Sequence, residues 1–237
     1  MPMKKIIVLL IVFCLLLTGC TCMQTDDGGN AVPTDNRDST VAENYDPVDI
    51  EQAENARTII PLPDTTMENL TDAILPVSLG EGNTYVDEDG HTQMELKIYT
   101  YDKYDMVDIA ALKVGDTLVR YSGEVEVISI EENETGRICI NGGLDNEGFD
   151  LTTDDSGVFY ETGFNDVKNW YETGEATIRV STDFKGIDCA DLDLGEVAIH
   201  PEDFMNGAVR NYDFSPYNTT VRVENGQIVE LNRVFTP

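Results

Sequence analysis

A two-residue hydrophobic rhythm, broken by turn dipeptides, constrains the fold of this chain more than any other feature. In the run 221–231, Val221 and Val223 alternate with Arg222 and Glu224, Asn225-Gly226 interrupts, and Ile228 resumes the apolar series. Successive strand side chains point to opposite faces, so this alternation gives one buried and one wet face. Asn-Gly accepts the positive φ that both central positions of a tight hairpin turn require. A hairpin is therefore expected over 221–231. The same rhythm occurs at 95–101, 124–130 and 176–180, and Asp89-Gly90 and Asn141-Gly142-Gly143 mark further turns. Helix signals are sparse. Asn165 can cap a short helix that carries Val167, Trp170 and Tyr171 and stops at Gly174, while Met67, Leu70 and Ile74 share one helical face. Trp170 and Tyr171 suit either a ligand platform or a plug that closes a barrel. The expected fold is mostly β, with two small barrel-like or sandwich halves and one or two short helices.

An internal similarity bears on how those halves relate. The run from Leu96 to Lys103 is like that from Ile178 to Lys185, and Asp108 to Asp116 is like Asp188 to Glu196. Each copy reads as strand, excursion, glycine turn and strand, which fits either a duplication or a recurring turn motif. A duplication requires Leu112 and Leu192 both to be buried and places any ligand site at the junction of the halves or within 141–171. The expected boundaries are 58–150 for the first β-rich half and 151–237 for the second. Residues 20–57 are expected to be a disordered acidic tether, because Asp26-Asp27-Gly28-Gly29 and scattered acids and prolines bury too little apolar surface to offset ordering. Such a tether has an r.m.s. span of roughly 35 Å.

The start of the chain carries a different signal. Lys4 and Lys5 precede twelve uninterrupted apolar residues, Ile6 to Leu17, and Leu17-Thr18-Gly19-Cys20 follows. A run of that length is short of the roughly 20 residues a membrane-spanning helix needs and fits a secretory signal peptide. The last four residues resemble the lipobox of bacterial lipoproteins. That resemblance covers the first 20 residues. It implies a signal peptide at 1–19, cleavage before Cys20, lipidation of Cys20 and anchoring to the extracytoplasmic face of the cell membrane. Acyl chains hold a protein there at about 0.8 kcal/mol per buried CH₂. The remainder resembles uncharacterised lipoproteins of Gram-positive bacteria, a resemblance that carries over no functional residue.

Loss of Lys4 and Lys5 with the signal would take the formal charge from −30 to −32. Nucleic-acid binding needs basic residues to displace counterions, so that class is excluded as a partner. The membrane, through the lipid anchor, and an envelope protein or a cation are the partners expected; no cofactor is. Calcium is the ligand weighed for the acidic turns at Asp145, Glu147 and Asp150 and at Asp191, Asp193 and Glu196, against a plain solvated surface. The metal site is left unassigned.

Of five cysteines, Cys14 leaves with the signal, Cys22 lies in the tether, and Cys139 and Cys189 fall in the body. These last two can pair or remain small hydrophobes. The two histidines, His91 and His200, lack metal-ligand spacing, and no nucleophile motif is present. No catalytic residue is assigned. The preferred function is a non-catalytic module that binds a ligand or partner; the alternative is an envelope hydrolase with a dispersed acidic site.

Overall fold

The strands run β1 (Thr58–Ile59), β2 (Ala73–Ser78), β3 (Thr84–Val86), β4 (Thr92–Thr100), β5 (Lys103–Tyr104), β6 (Thr117–Arg120), β7 (Gly123–Glu126) and β8 (Ile130–Glu132). After these come β9 (Ile138–Ile140), β10 (Phe149–Thr153), β11 (Phe159–Thr162), β12 (Tyr171–Cys189), β13 (Val197–Ile199), β14 (Thr219–Glu224) and β15 (Gln227–Val234). The structure is a computed structural model and describes residues 55–163, 166–209 and 213–236. The expected signal peptide, Cys20 and the tether up to residue 54 lie outside the described residues.

Five strands close a barrel in the order β12-β15-β14-β2-β4, with β4 pairing back onto β12. Alternation drives it. In β4, Met94, Leu96, Ile98 and Thr100 are buried while Glu95 and Lys97 face solvent. The expected hairpin forms between β14 and β15, with Asn225 at φ 50 and Gly226 at φ 72. The strand β12 is long enough to serve two neighbours. Its first half pairs antiparallel with β4 and its second half parallel with β15, across an irregularity between Val180 and Lys185. The edge strands β3 and β13 extend this sheet. The barrel core holds Leu75, Val77, Met94, Leu96, Ile98, Val221, Ile228 and Leu231.

A second core gathers Ile59, Tyr104, Ile109, Leu118, Val127, Ile140, Phe149 and Leu151. It is served by a five-stranded sheet, β5-β11-β10-β9-β8, and a three-stranded one, β1-β6-β7. The fold is thus mostly β, with a barrel and a two-sheet body.

The sheets are not divided at 150/151, a boundary that falls inside β10. The chain leaves the barrel after Thr100, builds the second body, and returns at Tyr171 opposite Thr100. The second body is therefore largely an insertion between two paired barrel strands, completed by β1 from ahead of the barrel. The cause is non-local pairing, which the rhythm of a single strand does not encode. The look-alike segments start on two paired strands, β4 and β12, where Leu96 lies opposite Ala176 and Met94 opposite Ile178. Leu112 is half-buried against the second core, whereas Leu192 is 70% exposed. The resemblance is a recurring turn motif. Gly115 and Gly195 do share positive φ, at 90 and 67.

Other local expectations shift too. Over 167–174 the expected helix does not form: Lys168 bridges to Thr162 and Tyr171 opens β12; Asn165, its expected cap, lies outside the described residues. Gly174 answers to packing instead, because a Cβ there would meet Met67 Cε at 2.7 Å. Around Met67 only a single 3-10 turn forms, Thr66–Glu68, and Ile74 passes into β2 with its side chain exposed. The two short α-helices are Met106–Ala110 and Pro201–Met205. Asp105 caps the first through Val107 N–H at 2.7 Å, and Pro201 with following acids opens the second. Near the start of the described residues, the Arg57 guanidinium donates to the Ala111 carbonyl at 2.7 Å. Among the described residues no helix is long and apolar enough to cross a membrane.

Candidate functional site

Two of the crossings between barrel and second body, Tyr101–Asp102 and Trp170–Tyr171, build a cleft of about 230 Å³. Asp102 sits on the first crossing and is 9% exposed. Its carboxylate accepts the Tyr121 backbone N–H at 2.6 Å and the Tyr171 phenol O–H at 3.1 Å. Tyr121 and Ser122 form the two-residue tip of the β6–β7 hairpin, since Arg120 pairs with Gly123. That tip projects Tyr121 over Tyr171. The rings stack with centroids 4.0 Å apart and planes 2° from parallel. Tyr121 stays 68% exposed, so its outer face is open. Tyr217 stands at the rim, 51% exposed.

The floor is an ion pair. Glu161 on β11 takes Arg120 Nε at 2.7 Å, a second Arg120 N–H from Nη2, and Asn169 Nδ2 at 2.5 Å. Arg120 also lies 4.2 Å over the Phe149 ring. A two-pronged, nearly buried pair of this kind fixes geometry, and removal of one partner strands the other's charge.

Behind the stack, Tyr101 meets Trp170 edge-on at 4.9 Å and Tyr160 at 5.5 Å. Lys168 Nζ lies 4.1 Å from the Tyr101 centroid, donates to the Tyr101 hydroxyl at 2.9 Å, and sits 3.9 Å from Asp154. Burial raises the phenols of Tyr101, Tyr104, Tyr160 and Tyr171 above the usual tyrosine range, and Asp102 adds to the rise at Tyr171. Burial pulls Asp154 upward, but hydrogen bonds from Ser156 and the charge of Lys168 outweigh it and hold that carboxyl low. The junction is thus a rigid mosaic of neutral phenols and matched charges.

Among the described residues, the acids that line the cleft are Asp102 and Glu161. A hydrolytic pair of carboxylates needs one to donate a proton and the other to attack or activate water. Here both buried acids are already bonded, Asp102 to an amide and a phenol, Glu161 to a guanidinium and an amide.

The remaining sequence candidates are dispersed. His91 Nδ1 lies 3.8 Å from Asp87, and the His200 backbone N–H donates to Asp203 at 2.7 Å at the start of a helix. Among the described residues, no hydroxyl or thiol bonds to either histidine side chain. Of the first acidic turn, Asp145 and Glu147 face solvent while Asp150 is buried. In the second, Asp191 accepts the Asp193 backbone N–H at 3.0 Å, and Glu196 is exposed. Among the described residues no cluster of three or more acids, histidines or cysteines forms a metal-ion site. Cys139 lies in β9 and Cys189 ends β12, both as free thiols. Burial raises the Cys139 thiol, and the Asp150 carboxylate beside it adds to the rise.

A broader trough of about 1120 Å³ lies beside β13, where Leu192 and Leu194 are exposed. Its charged pair, the buried Arg233 and the partly buried Asp188, bonds at 2.8 Å.

Trp170 and Tyr171 stand out in the sequence as a platform or a barrel plug, and the structure brings both to the lining of the cleft. It missed Asp102, Tyr121 and Glu161. A signal existed for Tyr121: an aromatic residue ahead of Ser122-Gly123 occupies a turn, where core packing has no use for it. No protein-family model, curated protein or solved structure matches the chain.

Proposed function

We propose that this chain is a membrane-anchored extracytoplasmic lipoprotein whose body is a non-catalytic ligand- or partner-binding module. The anchoring rests on Leu17-Thr18-Gly19-Cys20 after its basic and apolar lead. Binding without catalysis rests on the junction cleft, where both buried carboxylates are consumed by internal bonds while a stacked tyrosine pair is left open. Concave, rigid sites with a few convergent polar groups are the usual home of ligands. An acidic envelope protein would be repelled by so negative a chain, so a neutral or basic occupant is favoured.

The test uses the full chain in native membranes. A photo-crosslinking amino acid at Tyr217 should yield a discrete adduct, and the same group at Tyr85 on β3 should not. In parallel, Cys20→Ala should release the protein from membranes or leave it unprocessed. Equal labelling from both positions would remove the cleft as a binding site. Normal processing and retention of Cys20→Ala would remove the anchor.

A further inference from the structure

The geometry points to a neutral saccharide as the occupant of the junction cleft, with one sugar ring lying on the outer face of Tyr121. This rests on the binding-module reading and adds the ligand's chemical class.

The open face is the first ground. Tyr121 is backed by Tyr171 at 4.0 Å, and both are tied to the one Asp102 carboxylate. A ring held from behind and at its backbone is fixed before ligand arrives, so little ordering entropy is lost on binding. The face of an aromatic ring is electron-rich. It attracts the polarised C–H groups that line one side of a pyranose.

The polar rim is the second. The Ser122 hydroxyl, the Trp170 indole N–H and the phenols of Tyr121 and Tyr217 make no hydrogen bond to another described residue. These are neutral donors and acceptors, matched to ligand hydroxyls rather than to charge. A quaternary ammonium would want several ring faces converging on one point. The parallel pair offers a single face, and the charged groups beneath it are already matched. Anionic glycans would meet a chain of formal charge −30.

Size is the third. About 230 Å³ falls below the roughly 300–1,000 Å³ of sites for larger organic ligands. It leaves room for no more than one ring beside Tyr121, with further sugars extending over the rim at Tyr217.

The test uses the full chain in a detergent without a sugar headgroup. Maltotriose, cellotriose and chitotriose serve as probes, followed by saturation-transfer NMR and calorimetry. At least one should bind, with transfer strongest at one terminal ring. Tyr121→Ala should weaken it by about tenfold or more, Tyr121→Trp should retain it, and Tyr85→Ala should leave it unchanged. Should Tyr121→Ala fail to fold by circular dichroism, Tyr217→Ala supplies the same comparison at the rim. Absence of transfer from every probe at millimolar concentration would overturn the saccharide assignment, as would binding insensitive to both tyrosine variants. A Tyr217 crosslink to a protein alongside no saccharide binding would sink the ligand class while leaving the binding module intact.

Discussion

After β5 the chain enters a short helix and turns within the inserted body; after β12, which ends at Cys189, it turns over 192–194 into β13. The two turns carry nearly the same residue types. In the first, Ile109 is buried, Leu112 leans on the core, and Asp116 is fully buried. In the second, Cys189 is half-exposed, Leu192 lies in solvent and Glu196 is exposed. Asp116 owes its burial to partners. Its carboxylate accepts Arg57 N–H at 2.8 Å and Lys113 N–H at 3.0 Å, and Arg57 Nη2 lies 3.5 Å away. Among the described residues, no donor bonds to Glu196, which is exposed. A shared local pattern therefore fixes a glycine turn and leaves its burial to whatever sheet lies beneath.

The sharpest way to test this contrast is to truncate the matched apolar position. Ile109→Ala should cost about 2–5 kcal/mol in urea denaturation, as buried aliphatic truncations do. Cys189→Ala should cost less than about 1 kcal/mol. Equal losses would restore the duplication. The matched acids come next. Asp116→Ala orphans buried donors and should cost about 1–3 kcal/mol, against a change within about 0.5 kcal/mol for Glu196→Ala.

A smaller effect should be common to both turns. Gly115→Ala and Gly195→Ala should each cost about 1–2 kcal/mol, because both glycines hold positive φ and nothing crowds a Cβ at either. A loss at one position alone would deny even the shared turn. The smallest effect is expected at Leu192→Ala, within about 0.5 kcal/mol by thermal denaturation. A loss of 2 kcal/mol or more, on the scale of core truncation, would mean this leucine is buried in solution.

What the sequence disclosed follows the range of each interaction. The 219–234 hairpin and the strand at 92–100 are legible because alternation and Asn-Gly act over a few residues. The path of the chain is not. The β4–β12 pairing joins Thr100 to Tyr171, and the residues between them build most of the second core. The site follows the same logic. Trp170 and Tyr171 stood out as an aromatic pair, but Asp102 reaches Tyr171 across 69 residues and Arg120 reaches Glu161 across 41. Among 45 acidic residues nothing local marks Asp102 and Glu161 as the two the junction would enclose.

The central claim is that the junction cleft binds without cleaving. The most direct measurement incubates the full chain with neutral trisaccharides and recovers bound and free sugar for mass spectrometry. The account predicts intact trisaccharide retained by the protein and lost with Tyr121→Ala. Release of shorter sugars that stops with Asp102→Asn or Glu161→Gln would contradict it, and would make the two buried carboxylates a hydrolytic pair.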